Sequence, residues 1–272
     1  MSGNEVYVHP SASLHPDAKL DAGVWIGPGC VIGPHVTVHR NTRLESHVVI
    51  GGWTEIGSDC RFSPFSAVGG EPQDIGYTGE ETRVKIGERN VFREFVTVHR
   101  ATIKQDRLTR IGDDNYFMAY SHVAHDCDVG NRTIFLHGAT LGGHVTVGDF
   151  ATIGALSAVH QFCRLGRFSF MGGGSIITQD VLPFARVVGR RPPLVLGLNV
   201  IGLRRNGFTN ARIAALKDMF KIFFFSNLNT PQALERLGAD FPDGEDRDEI
   251  IRFVQSSKRG LIKKSTAPWD HE

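Results

Sequence analysis

Five histidines fall between residues 122 and 160: His122, His125, His137, His144 and His160. A lone surface imidazole is ordinarily inert, but a cluster this dense points to proton transfer or ligand binding. Asp126 follows His125 directly. A carboxylate beside an imidazole orients the ring and stabilises its protonated form, as in the second half of a catalytic triad. Histidine ordinarily titrates near pH ~6.5, which suits a general base at neutral pH. No serine or cysteine is evidently placed as a nucleophile. The economical chemistry is therefore direct attack by a substrate hydroxyl whose proton an imidazole removes.

What must position these residues is a six-residue rhythm. Counting in sixes from Val8 gives Leu14, Leu20, Ile26, Ile32, Val38, Leu44, Ile50, Ile56, Phe62 and Val68, all apolar. The count breaks over 69–85, resumes at Ile86, Phe92 and Val98, breaks over 104–110, and then runs from Ile111 to Ile177. Four residues after each apolar position the side chain is small, as at Ala12, Thr42, Ser66, Ala139 and Ser157. Cys30, Cys60, Cys127 and Cys163 all fall in this small register, so they read as small inward hydrophobes and not as redox or metal groups. Six residues per face and three faces per turn give an 18-residue coil, with coils stacked ~4.8 Å apart. Glycines are expected where the turns need positive φ or close backbone approach.

Residues 18 apart then lie above one another. His125, Gly143 and Gln161 form one column, and Asp126 stacks under His144. An imidazole, a glycine backbone N–H and a carboxamide share one edge, which supplies a base and an oxyanion stabiliser. Gly173 stacks with Ala155 and His137 on a different face.

The near balance of 30 basic and 29 acidic side chains, formal net charge +1, argues against a protein built to hold nucleic acid. The N-terminus lacks a signal-peptide pattern, and no apolar stretch approaches the ~18 residues of a membrane span, so a cytoplasmic location without stable membrane insertion is expected. After Ile177 the rhythm stops. Residues 178–208 read as an irregular connection. Helical spacing follows over 213–225, Thr230-Pro231 reads as an N-cap with proline at the first helical position, and a further helix fits Glu245 to Ser257. The tail 263–272 is expected to be disordered. The fold class is mainly β: a parallel β-helix domain over 1–189 and a C-terminal α-helical domain over 190–272.

The segments HVAHDCDVGNRT (122–133), ATLGGHVTVGDFATIG (139–154) and AVHQFCRLG (158–166) resemble the UDP-N-acetylglucosamine O-acyltransferases, as do VTVHRAT (96–102), GLRRNGF (202–208) and KRGLI (258–262). The resemblance covers nearly the whole chain. It implies a left-handed hand for the β-helix and a homotrimer. It also implies transfer of an (R)-3-hydroxyacyl group from acyl carrier protein to the glucosamine 3-hydroxyl of UDP-N-acetylglucosamine, the first step of lipid A biosynthesis. Neither a cofactor nor a metal is implied. On this resemblance His125 is the general base, Asp126 its partner and Gly143 the oxyanion donor. His122, His144, His160, Gln161, Gln73 and Asp74 match substrate-site positions, and Gly173 matches a position that limits acyl length. Asn199 and Arg205 match residues that approach the nucleotide, where arginine suits bidentate phosphate contact.

The chain departs from the family pattern at Gly76, where lysine is common, at Asn206, where a second arginine is usual, and over 189–199, which looks one residue longer. Loss of a cation at Gly76 suggests an acceptor bearing a 3-amino group as an alternative. A second alternative is a hexapeptide-repeat zinc hydratase, with His122, His125 and His144 as ligands.

Overall fold

The computed structural model describes residues 5–189 and 193–262; the expected disordered tail lies outside them. The chain winds into a three-sided prism of parallel sheets with eleven, nine and eight strands. Up to Ile176–Ile177, consecutive strands go to successive sheets, so each sheet collects every third strand and the architecture is a parallel β-helix. Most strands are only two residues long, an outward residue followed by a buried one, as in Trp25–Ile26 and Val31–Ile32.

The apolar register is the core. From Ile26 to Ile177 it is buried, and within it Phe62, Phe92, Phe117 and Phe135 stack at centroid distances of 4.5, 4.7 and 4.6 Å. Val8 and Leu20 are only partly buried and Leu14 is exposed, because among the described residues no coil lies beneath the first. All four cysteines are buried, as their register predicts.

Positive φ does not fall mainly on glycine. Corners are turned by residues such as Asn41, Asp59, Asp126 and His144, with φ of 58°, 59°, 59° and 61°. That conformation costs about 1 kcal/mol for a residue with a Cβ. Most corner amides offset it by donating to the coil below, as Asp59 N does to Arg40 O at 2.9 Å and His144 N to His125 O at 3.0 Å. Glycine serves close approach instead. A Cβ on Gly57 would stand 2.4 Å from the carbonyl oxygen of Gly87.

Two excursions leave the prism, both at the corner between the nine-stranded and eight-stranded sheets. The first is shorter than its break in the six-residue count, and the second is shifted toward the N-terminus. Strands Arg83–Ile86 and Leu108–Ile111 are four residues long and pair along their whole length, which absorbs the ends of both breaks and leaves 71–82 and 100–107 irregular.

Residues 178–208 are more ordered than the sequence suggests. Ala185–Val188 and Leu194–Leu198 form an antiparallel hairpin on the end of the eleven-stranded sheet, and α1 (Val200–Arg205) follows. Helix α2 (Asn210–Phe225) is capped by Thr209 and buries Ile213, Leu216, Met219, Phe220 and Phe224. Helix α3 (Thr230–Asp240) begins one residue earlier than expected: Asn229 is the N-cap, in a capping box with Gln232, so Thr230 is already helical. Helix α4 (Glu245–Gln255) docks on the last coil, where Arg167 Nε donates to Glu249 at 2.8 Å and the Arg164 guanidinium lies 4.2 Å from the Phe253 ring centroid.

Candidate active site

The excursion corner is also the corner of the His125 column. His125 Nδ1 lies 2.8 Å from Asp126 Oδ2, and the aspartate side chain is fully buried. The carboxylate has further donors that sequence reasoning missed. Thr102 reaches it through its backbone N–H at 3.1 and 3.0 Å and through its hydroxyl at 2.7 Å. Thr109 Oγ1 accepts from the Asp126 backbone N–H at 2.9 Å. Burial alone would push the Asp126 carboxyl up. Hydrogen bonds from His125 and Thr102 outweigh it and hold the group below its ordinary range, so it stays an anion and an acceptor. An acceptor at Nδ1 keeps the proton on that nitrogen and leaves the Nε2 lone pair of His125 for chemistry.

Gly143 sits where the coil spacing predicts. A Cβ there would lie 2.5 Å from His125 Cε1 and 2.8 Å from Nε2, so the imbedded imidazole requires glycine. Among the described residues no protein group accepts from its N–H. The His144 ring meets the His125 ring edge-on at 5.2 Å, stacks on Phe162 at 4.5 Å, and brings Nε2 to 3.7 Å from Asp126. His160 and Gln161 continue the corner, with Arg259 Nη2 at 3.2 Å from His160 Nδ1. None of the four thiols is poised to react: burial pushes Cys127 up to about 12 and Cys60 and Cys163 up to about 11.

His122 stands one strand away, bonded to Thr97 Oγ1 at 2.7 Å and edge-on to His99 at 5.0 Å. His99 is a second residue the sequence reading missed. Burial, then the neighbouring imidazoles His99 and His125, push His122 down to about 4, and burial also lowers His99 and His144. The unfolded chain therefore takes up protons that the fold refuses as pH drops from ~6.5 toward ~4, and stability falls by about 1.4 kcal/mol per pH unit from His122 alone. Thermal melts at about pH 7.5 and about pH 5 should show this decline, and His122→Gln should flatten it. An unchanged slope in the variant would contradict the assignment.

The remaining expected residues divide between this corner and other faces. Gln73 is exposed in the first excursion, while Asp74 pairs with Lys104 from the second. Gly173 belongs to the corner between the eleven-stranded and nine-stranded sheets, with its Cβ direction 3.3 Å from Ala155 O. Asn199 and Arg205 line a separate cavity of about 810 Å³ on the eleven-stranded sheet, together with Ile134, Arg204, Lys217 and Lys221. Asn199 also has a structural task, capping α1 at Gly202 N and donating to Phe168 O at 2.9 Å.

Residues 180–262 match the family described as UDP-N-acetylglucosamine O-acyltransferase, domain 2, and residues 108–143 match the bacterial transferase hexapeptide repeat. A relative from Thermodesulfovibrio yellowstonii, named acyl-(acyl-carrier-protein)-UDP-N-acetylglucosamine O-acyltransferase, is 46% identical over 94% of this chain and 99% of its own length. The chain belongs to this family of O-acyltransferases. A Stenotrophomonas maltophilia O-acyltransferase of the same name is 40% identical over 97% of this chain and 100% of its own. Among solved structures, the UDP-N-acetylglucosamine acyltransferase of Francisella novicida superposes with TM-score 0.93 at 32% identity, covering 95% of each chain.

As an O-acyltransferase the chain is not favoured for either alternative. The trio of the zinc-hydratase alternative is not gathered within one chain: His125, Asp126 and His144 bring ligand atoms within 4.8 Å of one another, whereas His122 is not in that group among the described residues. Nor is the cation missing beside Asp74, since Lys104 brings an ammonium group to it. No described helix is long and apolar enough to cross a membrane.

Proposed function

We propose that this chain transfers an (R)-3-hydroxyacyl group from acyl carrier protein to the 3-hydroxyl of UDP-N-acetylglucosamine, with His125 as general base. His125 Nε2 takes the hydroxyl proton as the sugar oxygen attacks the carrier thioester. Charge on the former carbonyl oxygen is received by the Gly143 N–H. Collapse expels the carrier thiolate, which takes the proton back from His125. Asp126 holds the ring and stabilises its cation. The observation that carries this reading is the His125–Asp126 pair lying against an uncommitted Gly143 N–H, with every described cysteine buried.

The groove is completed by a second copy in a homotrimer. His47, Phe65, Phe95 and Tyr120 stack along the corner between the eleven-stranded and nine-stranded sheets at 5.2, 5.2 and 4.9 Å, and the last three are 50%, 42% and 56% exposed. A continuous exposed aromatic column marks an interface. Three copies meeting at this corner set the nine-stranded face of one, with its His122, against the eleven-stranded face of the next, with its Arg205. The fully exposed Ile75, within the first excursion, would find its apolar surface there too. In this scheme the β-helix through residue 189 carries the base, the part from 190 onward supplies nucleotide contacts, and the enzyme works in the cytoplasm.

Mass analysis of products from mixed acyl-carrier donors and UDP-N-acetylglucosamine tests the reading. An O-linked 3-hydroxyacyl product supports it; no transfer to this acceptor removes it. Gly173 leaves the acyl groove open, so Gly173→Met should shift selection toward shorter chains. Selection identical to the parent's would show that this corner does not measure the acyl group.

A further inference from the structure

The two excursions leave the same corner, and Lys104 joins them by donating through Nζ to Asp74 Oδ2. Asp74 Oδ1 accepts from Gly76 N at 2.9 Å, so both carboxylate oxygens are engaged and the side chain has one orientation. The aspartate side chain is 14% exposed and the lysine side chain 58%, so the pair stands at the edge of solvent with Asp74 on the inner side. Lys104 is also tied to the base. Its backbone N–H donates to Thr102 Oγ1 at 3.2 Å, Thr102 Oγ1 donates to Asp126 Oδ2, and Asp126 accepts from His125. One unbroken path of bonds thus runs from the first excursion to the imidazole. The first excursion has a second tie, Arg100 Nη2 donating to Tyr77 OH at 2.9 Å; Tyr77 donates its backbone N–H to the Asp74 carbonyl at 3.0 Å, so this tie steadies the turn and leaves the carboxylate to Lys104 and Gly76.

We propose that Lys104 is a positioning residue for the sugar-nucleotide acceptor, holding Asp74 and the first excursion over the groove in front of His125. This rests on the acyl-transfer reading above. A bond between an ammonium and a carboxylate fixes a hydroxyl-binding acceptor in place before substrate arrives, so its loss falls on acceptor binding rather than on the chemical step. Carrier binding, on the thioester side, is not touched.

Steady-state kinetics with both substrates varied tests this. Lys104→Met should raise KM for UDP-N-acetylglucosamine about tenfold or more while KM for the acyl carrier stays within about twofold. Lys104→Arg should keep most of the affinity. Gly76 supplies a control for position: its Cβ direction passes 3.3 Å from Asp74 Oδ1, so a lysine there reaches the same carboxylate. The double variant Lys104→Met, Gly76→Lys should therefore recover acceptor affinity. An unchanged acceptor KM in Lys104→Met, an equal loss for both substrates, or a double variant as poor as the single one would each overturn the proposal. Absence of transfer by the parent enzyme would instead remove the acyl-transfer reading.

Discussion

His125→Ala should lower kcat by about 10³-fold and leave KM for both substrates within a few fold. The ring is held by Asp126 at 2.8 Å, and Nδ1 is engaged in that bond, so Nε2 carries the free lone pair that the proposed mechanism uses. No neighbour replaces it. His144 lies edge-on to the ring, its Nε2 faces Asp126, and burial makes it a poorer base. Oxyanion stabilisation and substrate positioning survive the substitution, which is why a measurable residue of activity should remain. A loss smaller than about tenfold would mean that another group takes the proton.

Gly143→Ala should cost about 10²-fold in kcat, through displacement of the base and not through loss of the N–H donor, which alanine retains. The added methyl would stand 2.5 Å from His125 Cε1 and 2.8 Å from Nε2, well inside contact distance. The ring has to swing away, stretching its bond to Asp126. The mechanism makes a sharper demand on the double variant. Once His125 is alanine there is no ring to strike, so Gly143→Ala should add little on that background. Full additivity of the two losses would show that the glycine acts on something other than the imidazole.

The prism was legible because each coil repeats one steric problem: a bulky inward residue, a small one near the corner, and glycine where backbones touch. The same period put Gly143 on His125 and Asp126 under His144. It failed where the period itself changes. Across the second excursion the stacking offset is 25 and not 18, as in Thr97 against His122. Fixed counting by 18 therefore hid His99 and Thr102, although the offset between Val98 and Val123 in the apolar register could have revealed both. Lys104 was hidden for another reason. It stands in irregular backbone, where no periodicity says which excursion meets which. The hairpin Ala185–Val188 and Leu194–Leu198 was missed because glycine and proline around it masked two short strands that the edge of the existing sheet stabilises. The small gap between expected and observed caps at Asn229 is a local competition, since Gln232 returns a bond to asparagine and makes it the better cap.

Within one chain, His125 and Arg205 lie on different faces, the first at the excursion corner and the second in the cavity of the eleven-stranded sheet. The proposed groove joins them only across two copies. Co-expressing His125→Ala and Arg205→Ala chains, each crippled alone, and assaying the purified mixed oligomers tests this directly. If every groove takes its base from one copy and its arginine from the next, random mixing leaves about a quarter of the grooves intact, and roughly a quarter of parental activity should return. Mixed oligomers no more active than the two separate variants would show that base and arginine serve the same groove from one chain.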